Sequence, residues 1–379
     1  MVGLAGTYQF AWPVLRDPIG AQSGASETTI GAVFTVLIVT QTLASFPSGW
    51  IRDQYGPRVP LLVATLFLVV GYAGVALVPS VPELYLWFGI GGAGVGIAYN
   101  VGINTPSEWF RTRRGLTTGA VSMAFSLTSF LLIPFVRWGA DTDFTTTLLV
   151  LAAATGIATL VATFVIRDPS PESATTPDEL ASDGGDDGAV SWREMIETRR
   201  FWLLYAVFVV NGVGLMLLEK VVTYAGRLGL STGTAITAAA VVALGQASGV
   251  VIGGAASDRL GAERTVSISL ILCGLALCAT VLVGRLEIGW AFVALAGVTM
   301  AFRSPAFGIL PGVVNETFGE RYASENYGVL LTAKLWGGVF GGIVTSLLAT
   351  QIGWTPTFIV GASSAVVVGI AALFALRSP

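Results

Sequence analysis

Two positive charges stand inside apolar stretches where no counter-charge is at hand. Lys334 lies in the run 327–348 and Arg303 in the run 288–312, and neither run contains an acidic residue. A cation at membrane depth is costly and must face a polar cavity or a partner. Snorkelling to the interface is the other reading of Lys334, seven residues into its run. Arg303 reads in two ways: as a contact for a bound anion, or as a donor to backbone carbonyls near Pro305. A proline ring removes a helix donor and frees an acceptor there. Glu219 is the one carboxylate within an apolar run, 200–221, and is a candidate proton carrier. Its neighbour Lys220 points about 100° away on a helix, so the two are not expected to pair. Placed near the end of the run, Glu219 is expected to be solvated, and Asp17 is a weaker candidate for the same role.

The chemistry open to this set is binding and charge compensation. The chain has no histidine, which removes imidazole bases and histidine-ligated metals or haem. No nucleophile–base pair or pair of acids is visible, so no catalytic residue, metal or cofactor is expected and an enzyme is not the reading. Cys273 and Cys278, five apart in one apolar run, point to different faces of a helix and read as packing residues.

The elements that carry these residues must cross a membrane. Hydrophobic residues make up 54% of the chain and charged ones 11%, against about a quarter charged in soluble domains. Twelve apolar runs are discernible: 1–15, 28–48, 60–79, 84–104, 116–136, 145–166, 200–221, 234–254, 265–284, 288–312, 327–348 and 355–376. About 20 residues span the hydrocarbon as a helix. The first run is shorter than that, so helix 1 reads as truncated at its N-terminus. Between helices 6 and 7, residues 168–198 combine an acidic segment rich in Pro, Ser, Thr and Gly with a short interfacial helix at Trp192–Thr198. Such a segment cannot bury enough surface to order itself. The expected organisation is therefore all-α: a six-helix half at 1–167, a flexible linker at 168–198 and a second six-helix half at 199–379. Arg52, Arg58, Arg111, Arg113, Arg114, Arg167, Arg193, Arg199, Arg200, Arg259, Arg264, Arg321 and Arg377 fall on one side, leaving Arg16, Arg137, Arg227 and Arg285 on the other. The positive-inside rule makes the richer side cytoplasmic, so both termini are expected on the cytoplasmic side of the cell membrane.

The halves repeat one another. Gly49, Asp53, Gly56 and Arg58 end one apolar run, and Asp258, Gly261 and Arg264 end another 205 residues later, with Asp three positions before Gly in both. Gln41 and Gln246 each stand twelve positions before that Asp. Duplication of this kind is how many secondary transporters are built. Glycine permits the tight turn, arginine anchors at the anionic leaflet, and the aspartate can accept from a neighbouring helix end. The two loops together are thus a candidate cytoplasmic gate.

This loop pattern resembles the signature of the major facilitator superfamily over essentially the whole chain. Within it, Gly92, Gly94, Gly96, Tyr99 and Asn100, followed by Trp109-Phe110-Arg111-Thr112-Arg113-Arg114-Gly115-Leu116 and Gly119, are similar to the oxalate/formate antiporter family. So are Tyr8 and Trp12, and above all the string Asn326-Tyr327-Gly328-Val329-Leu330-Leu331-Thr332-Ala333-Lys334. The resemblance implies a twelve-helix fold with a cavity between the halves and alternating access. It also implies that Lys334 binds a substrate carboxylate. The family's oxalate exchangers use an arginine in helix 8 as a second cation; here helix 8 carries Gln246 and Ser248, which suits a monocarboxylate better than a dicarboxylate. Arg303, Tyr8, Trp12, Asn100, Tyr327, Trp336 and Gln246 complete the expected lining. The partners expected are a small organic anion and the lipid bilayer, without nucleic acid, for a monomer acting as exchanger or proton symporter. A carrier of drugs or sugars, and a non-transporting membrane sensor, are the alternatives. Gly92 with Gly96, and Gly245, Gly249 and Gly253, should let neighbouring helices approach closely.

Overall fold

In hydrocarbon every backbone N–H and C=O must bond within its own segment, so apolar runs of this length become helices. The computed structural model describes residues 1–77, 80–109, 114–167, 190–319 and 322–376, with the backbone alone at 46, 53, 106–108, 114–118 and 323–324. The described residues form helices without a strand. The helices before the linker are α1 (Val2–Phe10), α2 (Trp12–Ser23), α3 (Glu27–Tyr55), α4 (Arg58–Leu77), α5 (Val81–Trp109), α6 (Arg114–Thr142) and α7 (Phe144–Val165). Those after it are α8 (Trp192–Met195), α9 (Arg199–Asn211), α10 (Val213–Arg227), α11 (Thr232–Leu260), α12 (Ala262–Arg285), α13 (Gly289–Arg303) and α14 (Pro305–Phe318). They are followed by α15 (Ala323–Leu331), α16 (Ala333–Val339), a π-turn (Phe340–Val344), α17 (Thr345–Gln351) and α18 (Trp354–Ala375). Eleven stretches of these helices are long and apolar enough to cross a membrane, and α1 with α2 makes the twelfth. The acidic segment 168–189 lies outside the described residues.

Helix 1 does not stop near Leu15. It bends at Ala11 and continues through Ser23. At 1.5 Å per residue, Val2 to Ser23 rises about 32 Å, enough to cross. Arg16, Asp17 and Pro18 look like an end in the sequence, yet Arg16 is buried and ion-paired, which lets the helix carry it inside. Three further crossings are also interrupted. Helix 7 breaks at Gly212 between α9 and α10, helix 10 at Ser304 between α13 and α14, and helix 11 at Thr332 and again through its π-turn.

Glycine repeats set the helix spacing. A Cβ at Gly245, Gly249 or Gly253 of α11 would run into Gly297, Ala301 or Pro305, respectively, so helix 8 lies directly on helix 10. On α5, Gly92 sits against the Leu37 carbonyl and Gly96 against the Gln41 carbonyl. The first of these faces fixes the helix that carries Arg303. The second fixes the turn of α3 that carries Gln41.

Both repeated loops end their helices in the same way. Gly56 (φ 73°) and Gly261 (φ 84°) adopt the left-handed region that favours glycine. Each N–H bonds back four residues, to Arg52 O at 2.8 Å and to Ser257 O at 2.9 Å.

Candidate functional site

A single face of α3 lines helix 11 from one end of the molecule towards its middle. Glu27, Gly31, Thr35, Ile38 and Gln41 follow one another at steps of four, four, three and three, the spacing of one helical face. Glu27 accepts from Lys220. A Cβ on Gly31 would meet Ser346 and Gly342, and one on Gly338 would meet Ile38. Gln41 Oε1 accepts from Lys334 Nζ at 3.2 Å.

Thr35 occupies the break in helix 11. Its Oγ1 accepts from Ile343 N–H at 3.0 Å and donates to Gly338 C=O at 3.0 Å. In a π-turn residue 343 would bond residue 338 directly. The threonine hydroxyl is inserted into that bond from the other set of helices, one turn beyond Lys334.

Lys334 stands eleven residues after Ala323 and seventeen before Gln351. These steps are roughly 17 and 26 Å along the axis, deeper than a helix starting at residue 327 would place it. Its side chain is half-buried, and among the described residues no carboxylate lies within ion-pair distance of it. Arg303 is within electrostatic reach, so the two cations act on one another.

Arg303 is buried (2% exposed) and held from three sides. Its Nε donates to Asn211 O at 3.2 Å and its Nη1 to Gln246 Oε1 at 2.9 Å. The guanidinium also lies 4.9 Å from the Phe307 ring centroid. The Asn211 carbonyl is available because the helix breaks at Gly212: Leu215 N bonds Gly212 O instead. The backbone partner expected near Pro305 is thus found on helix 7. The two repeat-related glutamines each hold a cation, Gln246 within its own set and Gln41 across the two.

The other expected lining residues are dispersed. Tyr8 (1% exposed) and Trp12 (0%) are packed inside the first set of helices, away from Lys334. Tyr8 donates to Leu68 O and stacks on Tyr72, while Trp12 packs against Phe34 and Phe88. Asn100 donates to Ser45 O and accepts from Asn104, staying on the α3–α5 contact. Tyr327 is half-buried near the start of helix 11. Trp336 is largely exposed, its Nε1 donating to Tyr205 OH at 3.2 Å; Tyr205 also bonds Thr332 at the break before Lys334. Tyr205 and Thr35 carry no sequence signal beyond being polar residues in apolar runs.

Glu219 departs from expectation twice. It is fully buried rather than solvated, and Lys220 Nζ lies 2.9 Å from its Oε2 although the two are adjacent. The 100° separation describes where the bonds leave the helix; two long side chains can still curl towards a common point. That point is occupied by Arg16 and Glu27, 3.7 Å from Glu219 and 2.9 Å from Lys220 respectively. Arg16, expected in an external loop, is 1% exposed.

The repeated loops lie at the opposite end. The Asp53 side chain is outside the described residues, Gly49 lies near Asn100, and Arg58, Asp258 and Arg264 are exposed. Around these loops Arg52 Nε donates to Thr105 at 3.4 Å within the first set, and Arg200 pairs with Glu263 at 2.5 Å within the second.

Comparison with known proteins agrees with this architecture. The sequence pattern of the Major Facilitator Superfamily matches residues 2–253 and 220–379. The chain is 28% identical to the oxalate:formate antiporter of Oxalobacter formigenes over 374 residues, covering 97% of this chain and 87% of that one. It is 29% identical over 169 residues to a protein of Mycobacterium tuberculosis named "Probable nitrate/nitrite transporter NarK2", 42% of each chain. Among solved structures, the nucleoside transporter NupG (D323A mutant) superposes with a TM-score of 0.74 at 12% identity, covering 98% of both chains. That likeness shows the fold.

Proposed function

The chain belongs to the Major Facilitator Superfamily, and from that premise we propose that it carries a small organic anion, a monocarboxylate, by alternating access. One observation carries the reading: Lys334 is a mid-helix cation, half-buried, that donates to the neutral Gln41. An anion can take that ammonium without displacing a carboxylate. The similarity to an oxalate:formate antiporter supports the same class of solute.

Lys334 holds the carboxylate, with Gln41 orienting the ammonium. Arg303 adds positive potential from behind Gln246. Tyr327 and Trp336 flank Lys334 on its own helix, and Tyr8 and Trp12 shape the helices behind the site. Among the described residues Lys334 has no ion-pair partner, and the span 234–254 of helix 8 carries no charge, so a monocarboxylate is matched better than a dicarboxylate. Bound anion neutralises buried positive charge and favours closure, whereas an empty cationic site resists it. Exchange follows from that asymmetry. The halves are 1–167 and 199–379, joined by the acidic linker 168–198. Arginine asymmetry sets the repeated loops and both termini on the cytoplasmic side of the cell membrane, and the chain works as a monomer.

The test is uptake of labelled formate, lactate, pyruvate, oxalate and malonate into proteoliposomes, by the native protein and by Lys334→Gln. Uptake of one anion that disappears in a folded Lys334→Gln variant supports the site. Equal uptake by both overturns it. Efflux that proceeds equally without external anion overturns exchange.

A further inference from the structure

We propose that Arg16, Glu27, Glu219 and Lys220 form a latch between the two sets of helices at the end away from the repeated loops. We further propose that this latch opens without taking up a proton. The inference rests on alternating access in this superfamily and is independent of which solute is carried.

The four side chains meet where α2, α3 and α10 converge. Arg16, Glu219 and Lys220 are at most 1% exposed, and Glu27 is 26% exposed. Arg16 and Glu27 come from the first set, paired at 2.6 Å. Glu219 and Lys220 come from the second, paired at 2.9 Å. Two more pairs cross between the sets, Lys220–Glu27 at 2.9 Å and Arg16–Glu219 at 3.7 Å.

Cutting the cluster along the boundary therefore leaves one acid and one base on each side. Separation breaks the two crossing pairs and keeps the two internal ones. A buried charge is expensive chiefly when it loses its last partner, and here none does. No carboxylate needs to be protonated for the halves to part. Had both acids lain on one side, opening would have left two like charges together, and proton uptake would have been the natural relief.

The remaining polar groups around the cluster fit this division. Asp17, 52% exposed, lies 4.0 Å from Arg16 and accepts from Thr223 at 3.1 Å; its charge is already in contact with water in the closed form. Arg16 also donates to Thr223. Arg137 on α6 is occupied by Asp141 and the Val14 carbonyl. Lys220 donates to Ser346 at 2.5 Å and lies 5.8 Å from the Trp354 ring centroid. Ser346 in turn donates to Gly342 C=O in the π-turn. Thr35 enters that same turn, so release of the latch reaches the segment of helix 11 adjoining Lys334.

The experiment measures the distance between spin labels at Gln22→Cys and Gly226→Cys, both exposed, in a Cys273→Ser/Cys278→Ser background in lipid nanodiscs. The native protein should show a short and a long distance whose ratio is the same at pH 5 and pH 8. Exchanging charge within one set, Glu219→Lys/Lys220→Glu, keeps each set neutral and should retain both distances. Exchanging charge across the boundary, Glu27→Lys/Lys220→Glu, gives the first set two positive charges and the second two negative ones, and should leave only the short distance. Glu27→Gln, the milder change, removes Arg16's partner within its own set, so parting the sets would strand that arginine, and the long-distance fraction should fall about tenfold. It serves where the double variants fail to fold. A native ratio that shifts with pH, a single short distance under every condition with each anion added, or a cross-boundary variant that opens like the native protein overturns the latch. The distances are read without transport, so the anion site and the latch can fail separately.

Discussion

Lys334 Nζ and Gln41 Oε1 are 3.2 Å apart, and that bond joins the two sets of helices beside the candidate anion site. Gln41 is buried and its backbone is fixed by the close approach of Gly96. The glutamine therefore holds a neutral acceptor in the place where a carboxylate would form a permanent ion pair.

Gln41→Glu supplies that carboxylate. A half-buried ammonium with a built-in counter-ion no longer requires an anion from solution. Uptake of the preferred anion should fall by about tenfold or more, which corresponds to about 1.4 kcal/mol. Gln41→Asn, shorter but neutral, should weaken uptake less. Initial rates in proteoliposomes decide it, and equal rates for Gln41→Glu and the native protein would remove Gln41 from the site.

Arg303 is engaged by Asn211 O, Gln246 Oε1 and the Phe307 ring. Arg303→Gln is too short to satisfy both acceptors, and each buried group left unpaired costs about 1–3 kcal/mol. The apparent melting temperature in detergent should drop whether or not anion is present. A variant with native melting and reduced uptake would instead make Arg303 a substrate contact.

Residue patterns reveal the frame of this molecule better than its joints. The Asp-x-x-Gly repeat announces two related halves because a left-handed glycine is needed where each helix turns, and both glycines do adopt it. The steps of four among Gly245, Gly249 and Gly253 announce a contact because only the absence of a Cβ lets α11 lie on α13 and α14. Lys334 is legible through the cost of burying its charge. The latch is not legible, since nothing local to Arg16 or Glu27 specifies partners some two hundred positions away. Tyr8 and Trp12 are ambiguous for a related reason: aromatic rings in helix 1 serve packing and lining equally well, and only tertiary contacts separate the two. Thr35 is equally silent, since the bond it interrupts exists only where helix 11 departs from regular α geometry.

Thr35→Val keeps the shape and removes the hydroxyl. Ile343 N–H and Gly338 C=O would then face a methyl group across the boundary, unless helix 11 tightens to join them. The expected outcome is a loss of about 1–3 kcal/mol, seen as a lower melting temperature, with Thr35→Ser close to native. Equal melting for the valine and serine variants would mean that the π-turn closes on itself and the inserted hydroxyl contributes nothing.

Two glycines five residues apart on α11 separate close packing from helix propensity. A Cβ on Gly249 would collide with the Ala301 backbone, whereas one on Gly254 meets nothing within 4 Å. Both glycines sit within Thr232–Leu260, so alanine should suit the isolated helix better at each, by about 0.5–1 kcal/mol. Gly254→Ala should therefore raise the melting temperature slightly or leave it unchanged. Gly249→Ala must push helix 8 away from helix 10 along the contact that also carries Arg303 and Gln246. Lower yield of folded protein and a lower melting temperature are expected for that variant. The displacement should also loosen the Arg303–Gln246 bond, so Gly249→Ala and Arg303→Gln should be less than additive in melting temperature. Strict additivity would mean that the glycine face and the buried arginine are independent features of helix 10.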